Sequence, residues 1–143
     1  MSFDRRGGIK LVSMLHTFWY RMTDGVLGGT LLGSHILLLT TTGRRTGNKY
    51  TTPLLYLEDG ERRIVIASNG GADHDPQWWS NLKSEPRATV QEGRHARTMH
   101  GEEATGEERA RLWKNITSRY PVYTDYARRT TREIPVVVLS SHT

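Results

Sequence analysis

Two stretches concentrate the polar chemistry of this chain. The first, "TTTGRRTGNKYTTPL" (residues 40–54), sets Arg44, Arg45 and Thr46 between Gly43 and Gly47, with Lys49 close behind. Arginine offers a planar fork for phosphate or carboxylate, and glycines let backbone N–H groups approach an anion. The same residues also describe a solvated basic turn between two β-segments, and spacing alone leaves both readings standing. The second, "ASNGGADHDPQWWSNL" (residues 67–82), ends a β-run on Ser68, Asn69, Gly70 and Gly71. It leads into a helix whose N-terminus can also face an anion. Trp78 and Trp79 are adjacent and so point in different directions; one is expected in the core and the other at a pocket border. A third cluster, Tyr120, Tyr123 and Tyr126, is spaced by three and falls on roughly one face of a helical turn. Tyrosine joins an aromatic wall to a hydroxyl donor, which suits a flat polar ring or a core under a loop equally well.

Other chemistries fail on their spacing. A Walker A loop starting at Gly43 needs its second glycine at Asn48, but the glycine is Gly47 and a β-run follows where a helix should. No Gly-x-Gly-x-x-Gly opens a helix after a strand. The histidines, His16, His35, His74, His95, His100 and His142, form no HExxH or i, i+4 helical pair, so no metal site is expected. No Gly-x-Ser-x-Gly elbow anchors a hydrolase. Glu102, Glu103, Glu107 and Glu108 sit beside a helix start, where they complement the dipole. With no cysteine, thiolate nucleophiles, disulfides and Cys-ligated zinc are excluded. What remains is binding without a protein nucleophile.

The elements around these clusters follow from periodicity. The chain has 143 residues, which suits one domain, and its 24% charged and 36% hydrophobic content is that of a globular protein. Its formal charge of +5 favours an anionic partner. No apolar run approaches the ~20 residues that span a bilayer, and no signal peptide is read, so a cytoplasmic location is expected. Leu11, Met14, Leu15, Phe18 and Trp19 mark an amphipathic helix over residues 10–22. It packs on its own domain or, with Phe18, Trp19 and Tyr20 as anchors, lies at the inner face of the plasma membrane. A glycine-rich connector completes residues 1–33. About six strands are expected in residues 34–143: 35–42, 50–57, 63–68, 88–92, 94–99 and 134–140. Asp75 and Pro76 read as N-cap and first position of a helix ending before Pro86. Thr105 and Glu108 read as a capping box for a helix to about Ser118. Residues 119–130 read as irregular or a short helical turn. The βαβ rhythm of a parallel sheet is missing, which predicts a mainly β, antiparallel, barrel-like sheet with peripheral α-helices.

Taken together, "LLTTTGRRTGNKYTTPLLYL", "VIASNGGADHDPQWWSNLKSEPRATVQ", "ATGEERARLW" and "YPVYTDYARRTTREIPVVVL" resemble the deazaflavin-dependent nitroreductase family of the flavin/deazaflavin split β-barrel superfamily. The likeness runs over roughly residues 35–139. It implies an antiparallel split β-barrel that binds coenzyme F-420, a polyanionic deazaflavin, and passes hydride to a quinone, enone or nitroaromatic acceptor. By position, it implies that Arg44, Arg45 and Thr46 contact the phosphate or tail. Tyr50, Thr51, Thr52, Pro53, Leu54 and Leu55 then run beside the ring. Ile66, Ala67, Ser68 and Asn69 line the ring and ribityl-phosphate side. Gln77, Trp78, Trp79, Ser80 and Asn81 close the pocket. Tyr123 touches cofactor or substrate, Tyr120 and Tyr126 shape the substrate cavity with Leu55, and Ser68 and Tyr123 are the candidate catalytic hydrogen-bonders. The chain departs from the family at Asn69, commonly lysine in "ASKGG" forms; this either weakens phosphate binding or shifts the work to Arg44 and Arg45. It departs again at Leu55, where some members carry an aromatic residue. Alternatives are the same barrel with FMN, a non-catalytic deazaflavin carrier, and a nucleic-acid module. The last is disfavoured because aromatic and basic residues are not interleaved. Oligomeric state is not readable from the sequence.

Overall fold

The computed structural model describes residues 35–141; the expected N-terminal helix and connector lie outside them. Among the described residues the strands are β1 (Ile36–Thr42), β2 (Lys49–Leu55), β3 (Leu57–Asp59), β4 (Arg62–Ile66), β5 (Arg87–Glu92), β6 (His95–Glu103) and β7 (Val136–Ser140). The helices are α1 (Gln77–Ser84), α2 (Gly106–Arg119) and α3 (Val122–Arg128), with a 3-10 turn at Asn69–Gly71. The seven strands form one sheet in the order β2-β1-β5-β6-β7-β4-β3, with antiparallel registers. β2 and β3 occupy opposite ends of that order, yet only Tyr56 separates them in the chain. A flat sheet cannot meet both conditions. The sheet therefore curls until its ends approach, which is the split-barrel architecture expected. Tyr120 pins the joint, its hydroxyl donating to the Tyr56 carbonyl at 3.2 Å.

Side-chain alternation sorts two cores onto the two faces of this sheet. Leu37 and Leu39 of β1, Val65 of β4, Ala88 and Val90 of β5, and Val137 and Leu139 of β7 build the inner cluster, which α1 covers with Trp78, Trp79 and Leu82. Ile64 and Ile66, Val136 and Val138 face the other way and are covered by Leu112 and Ile116 of α2 and Tyr123 of α3. β4 and β7 are thus buried on both faces, which explains their continuous apolar runs. β1 and β5 bury one face and alternate.

Several expectations are corrected. There are seven strands because the run over residues 50–57 breaks at Tyr56. The strand expected over 94–99 extends to Glu103, since β6 pairs with β5 along its first half and with β7 along its second. The segment after Arg119 is a helix, α3, entered through Pro121. Asp75 does not cap α1: Pro76 occupies the N-cap, without a side-chain cap bond, because the Asp75 carboxylate is drawn to Arg132 at 2.9 Å. The capping box is also unmade. Thr105 holds the N-cap position without its side-chain bond, and Glu108 instead meets Arg62 at 3.0 Å. Arg62 and Arg111 converge on Asp59, and their hydrogen bonds, that from Arg111 foremost, hold its carboxyl down at about 2. This network ties the short β3 to α2. Both tryptophans are core: Trp78 and Trp79 are buried and meet edge to face at 6.4 Å.

Candidate functional site

The basic turn between β1 and β2 is closed by its own backbone. Gly43 N–H donates to the Asn48 carbonyl at 2.7 Å, and Gly47 N–H to the Gly43 carbonyl at 2.9 Å. Gly47 takes φ +76°, a left-handed conformation that glycine adopts without strain. Below the turn, Thr40 and Thr51 share a hydrogen bond at 2.7 Å, and Lys49 Nζ donates to Thr42 Oγ1 at 2.7 Å. Tyr50 is 48% exposed beside the turn; hydrogen bonding to Thr46 and Asn48 lowers its phenol from the ordinary value.

Arg44 fastens this turn to α1. Its backbone N–H and Nη1 both donate to Asn81 Oδ1, at 3.2 and 2.8 Å. Asn81 is 5% exposed, so the brace is built into the inner cluster's rim. Among the described residues neither Arg44 nor Arg45 pairs with a carboxylate, whereas Arg62, Arg63, Arg111 and Arg132 all do. The arginines of the turn are thus left without an ion-pair partner among the described residues, which an anion cradle requires and a solvated basic turn equally shows.

The loop from β4 to α1 presents backbone donors. Ser68 is right-handed (φ −77°, ψ −31°), and Asn69 and Gly70 follow at φ +49° and +65°. A right-handed residue followed by left-handed ones turns consecutive N–H groups to one side, the geometry of an anion nest. The Asn69 side chain does not add to that charge; its Nδ2 donates to the His74 carbonyl at 3.1 Å and closes the loop on itself. Ser68 is buried at 7% exposure. α3 packs on the same loop: a Cβ added to Gly71 would meet the Tyr126 carbonyl at 2.9 Å.

The tyrosines stack in sequence. Tyr123 meets Tyr120 at 6.2 Å and Tyr126 at 6.0 Å, both edge to face. Burial, with Tyr120 and Tyr126 beside it, pushes the Tyr123 phenol well above its ordinary range. It stays protonated at physiological pH. Tyr120 spends its hydroxyl on Tyr56.

Of the sequence-predicted residues, the structure gathers two groups along one path. Arg44 and Asn81 join the turn to α1. The same helix continues back through the loop bearing Ile66, Ala67, Ser68 and Asn69, which α3 flanks with Tyr123 and Tyr126. Tyr50, Thr52 and Leu54 alternate along β2, and Leu54 packs on the inner cluster; Thr51 and Leu55 occupy the intervening positions. Pro53, lacking an N–H, fits its place on an end strand of the sheet. Gln77 is exposed and Ser80 half-buried on α1. Sequence reasoning missed Arg132, whose guanidinium reaches the loop from before β7. Its one sequence signal is a charged pair, Arg132 and Glu133, leading into an apolar run. No cluster of three or more His, Cys, Asp or Glu that could hold a metal occurs among the described residues. No helix among them is long and apolar enough to cross a membrane.

Comparison with known proteins places this geometry. Residues 13–141 match the family model described as F-420H(2)-dependent quinone reductase. An F-420H(2)-dependent quinone reductase of Mycobacterium tuberculosis is 38% identical over 141 residues, covering 96% of this chain and 94% of the relative. A solved F-420-H2 dependent reductase superposes with a TM-score of 0.69 at 36% identity, covering 74% of this chain and 94% of its own. A chain solved as a domain-swapped dimer superposes with a TM-score of 0.70 at 32% identity, covering 94% and 99%.

Proposed function

The chain belongs to the F-420H(2)-dependent quinone reductase family, and from that premise we propose how its residues serve the reaction. The protein is an oxidoreductase that uses reduced coenzyme F-420 to reduce a quinone. When bound, the reduced deazaflavin supplies a hydride from carbon 5, which with one proton converts the quinone to its hydroquinone.

Arg44 and Arg45, unpaired with any described carboxylate, bind the phosphate or the acidic tail, with Thr46 and Lys49 adding a hydroxyl and a charge. Ser68, Asn69 and Gly70 add backbone N–H groups to the phosphate side. With no lysine charge at Asn69, the nest supports the reading in which Arg44, Arg45 and main-chain donors take up its work. Tyr50, Thr51, Thr52, Pro53, Leu54 and Leu55 of β2 lie along the ring, with Ala67 across from them, while Ile66 turns into the outer cluster. Gln77, Ser80 and Asn81 of α1 close the pocket, with Trp78 and Trp79 buried beneath them. The Ser68 hydroxyl and the protonated Tyr123 phenol donate to the acceptor oxygen as negative charge develops on it. Because the Tyr123 phenol is held so far up, water delivers the proton. Leu55, Tyr120 and Tyr126 shape the acceptor cavity. Enones and nitroaromatics, electron-poor like quinones, are further acceptors of the same site. The amphipathic pattern over residues 10–22 supports a peripheral contact with the inner face of the plasma membrane.

The observation that carries this reading is the Arg44–Asn81 brace, which sets an uncompensated cationic turn against the helix that closes the pocket. The test is a fluorescence titration with reduced F-420, and with FMN in parallel. We expect saturable F-420 binding, weakened at least about tenfold in Arg44→Ala and in Arg45→Ala for the loss of a charge-assisted hydrogen bond. FMN binding alone would keep the barrel and change the cofactor; tight F-420 binding with no turnover on a quinone panel would make the protein a carrier. Full turnover in both Ser68→Ala and Tyr123→Phe would remove those two roles.

A further inference from the structure

Arg132 stands between α3 and β7 with only 16% of its side chain exposed. Its guanidinium reaches back over the loop that carries Ser68. Nε donates to the Ala72 carbonyl at 2.9 Å and Nη1 to Asp75 Oδ1 at 2.9 Å. Nη2 donates to the Ser68 carbonyl at 2.9 Å and to the Ala67 carbonyl at 3.3 Å. One side chain thus holds the loop's entry, its middle and its exit.

The loop needs such a partner. Asn69, Gly70 and Gly71 run consecutively at positive φ, so the loop continues neither the β4 ladder nor an α-helix. Buried carbonyls without a partner are costly. Within the loop, Gly71 N–H reaches the Ser68 carbonyl and Ala72 N–H the Asn69 carbonyl. Arg132 adds donors from outside to the Ala67, Ser68 and Ala72 carbonyls. Three nitrogens in a rigid fork can address acceptors on three sides; a lysine ammonium, a single point, cannot span them.

We propose that Arg132 is a positioning residue: it holds Ser68 and the N–H groups of residues 68–70 in the geometry that cofactor and acceptor meet. The consequence for binding and turnover rests on the F-420 reading above; the grip on the loop does not. Arg109 offers a matched control. Its side chain is 18% exposed, and its partners are the Ile134 carbonyl at 2.7 Å, Glu133 at 3.6 Å and the Trp113 ring, all outside the loop.

The experiment compares full-length Arg132→Ala, Arg132→Lys, Asp75→Asn and Arg109→Ala with wild type. It follows melting temperature, amide hydrogen exchange over residues 68–72, the dissociation constant for reduced F-420, and kcat and KM with menadione as the quinone probe. In Arg132→Ala and Arg132→Lys we expect loop exchange and the F-420 dissociation constant each to rise by about tenfold or more, as for loss of charge-assisted bonds. Asp75→Asn, which weakens one arm of four, moves both in the same direction by less, and remains informative should Arg132→Ala fail to fold. Arg109→Ala lowers the melting temperature and leaves loop exchange and F-420 binding at wild-type values. Unchanged loop exchange in the Arg132 variants, or an equal rise in Arg109→Ala, overturns the proposal. A wild-type protein that binds no F-420 overturns the cofactor reading instead, and loop exchange alone then decides whether Arg132 holds the loop.

Discussion

The turn at Arg44 and the loop at Ser68 both combine backbone donors with arginine, and they are held in opposite ways. The turn is held by its own hairpin bonds and one brace to Asn81, and its residues 44–50 are all exposed. Its arginines face solvent without a described carboxylate. The loop is held by an arginine that is mostly buried and fully engaged. Arg44 commits one nitrogen of its guanidinium to Asn81 and Arg45 commits none to a carboxylate, whereas Arg132 commits its whole fork. Burial separates the two cases. An exposed guanidinium keeps its charge available to a ligand, while a buried one must already have acceptors, because desolvating a charge without them is prohibitive.

Two glycines test this contrast most strongly. Gly71 in the loop and Gly47 in the turn both sit at positive φ, +84° and +76°. A Cβ at Gly71 would lie 2.9 Å from the Tyr126 carbonyl, whereas one at Gly47 would meet nothing within 4 Å. Gly71→Ala should therefore add a backbone collision to the left-handed strain and cost about 3 kcal/mol, against about 1 kcal/mol for Gly47→Ala. Denaturant melts of both variants read the difference; equal losses would show that the loop yields as easily as the turn.

Asn81→Ala sharpens the comparison from the turn's side. It removes the acceptor for both Arg44 donors and should cost roughly 1.5 kcal/mol of stability. A double-mutant cycle with Arg44→Ala should recover most of that as coupling. Additive losses would mean the turn is held by its backbone alone.

The smallest expected effect lies at the joint between β2 and β3. Tyr56 donates to Glu92 at 2.9 Å; burial, then that bond and the Glu92 charge, push its phenol up to about 12. The unfolded chain ionises it near 10. Stability that this residue contributes is thus complete below about pH 10 and is lost as pH rises towards 12. Tyr56→Phe should cost about 1 kcal/mol at neutral pH and flatten the loss of melting temperature between pH 10 and 12. An unchanged alkaline slope would put its cause elsewhere.

Much of this molecule is legible in its sequence, for identifiable reasons. β1 and β5 alternate because one face is buried, and glycines punctuate the turns, so local rules suffice there. α1 is legible as a helix, but its cap is not: Asp75 follows the local rule in sequence and obeys Arg132 in space. Glu108 is diverted from its capping box by Arg62 in the same way. Arg132 itself is invisible because its partners Ala67 and Ser68 lie 65 and 64 residues away, and no period or spacing marks a contact of that range. The two tryptophans defeat the helical-wheel argument because both join the inner cluster formed with the sheet. The site residues that sequence can name are those whose chemistry shows locally, the arginines of the turn and the glycines of the loop. The residues that hold them are set by topology.

That topology also orders the assembly of the protein in time. β7 is the last of the described strands to be synthesised, yet it lies inside the sheet, between β6 and β4. Until β7 has left the ribosome, β4 and β6 keep open edges, and open edges pair with other chains. Arg132 emerges only just before β7, so the Ser68 loop is fastened at the same late moment. Everything made earlier must wait, unsealed, for the final strand to slot into the middle.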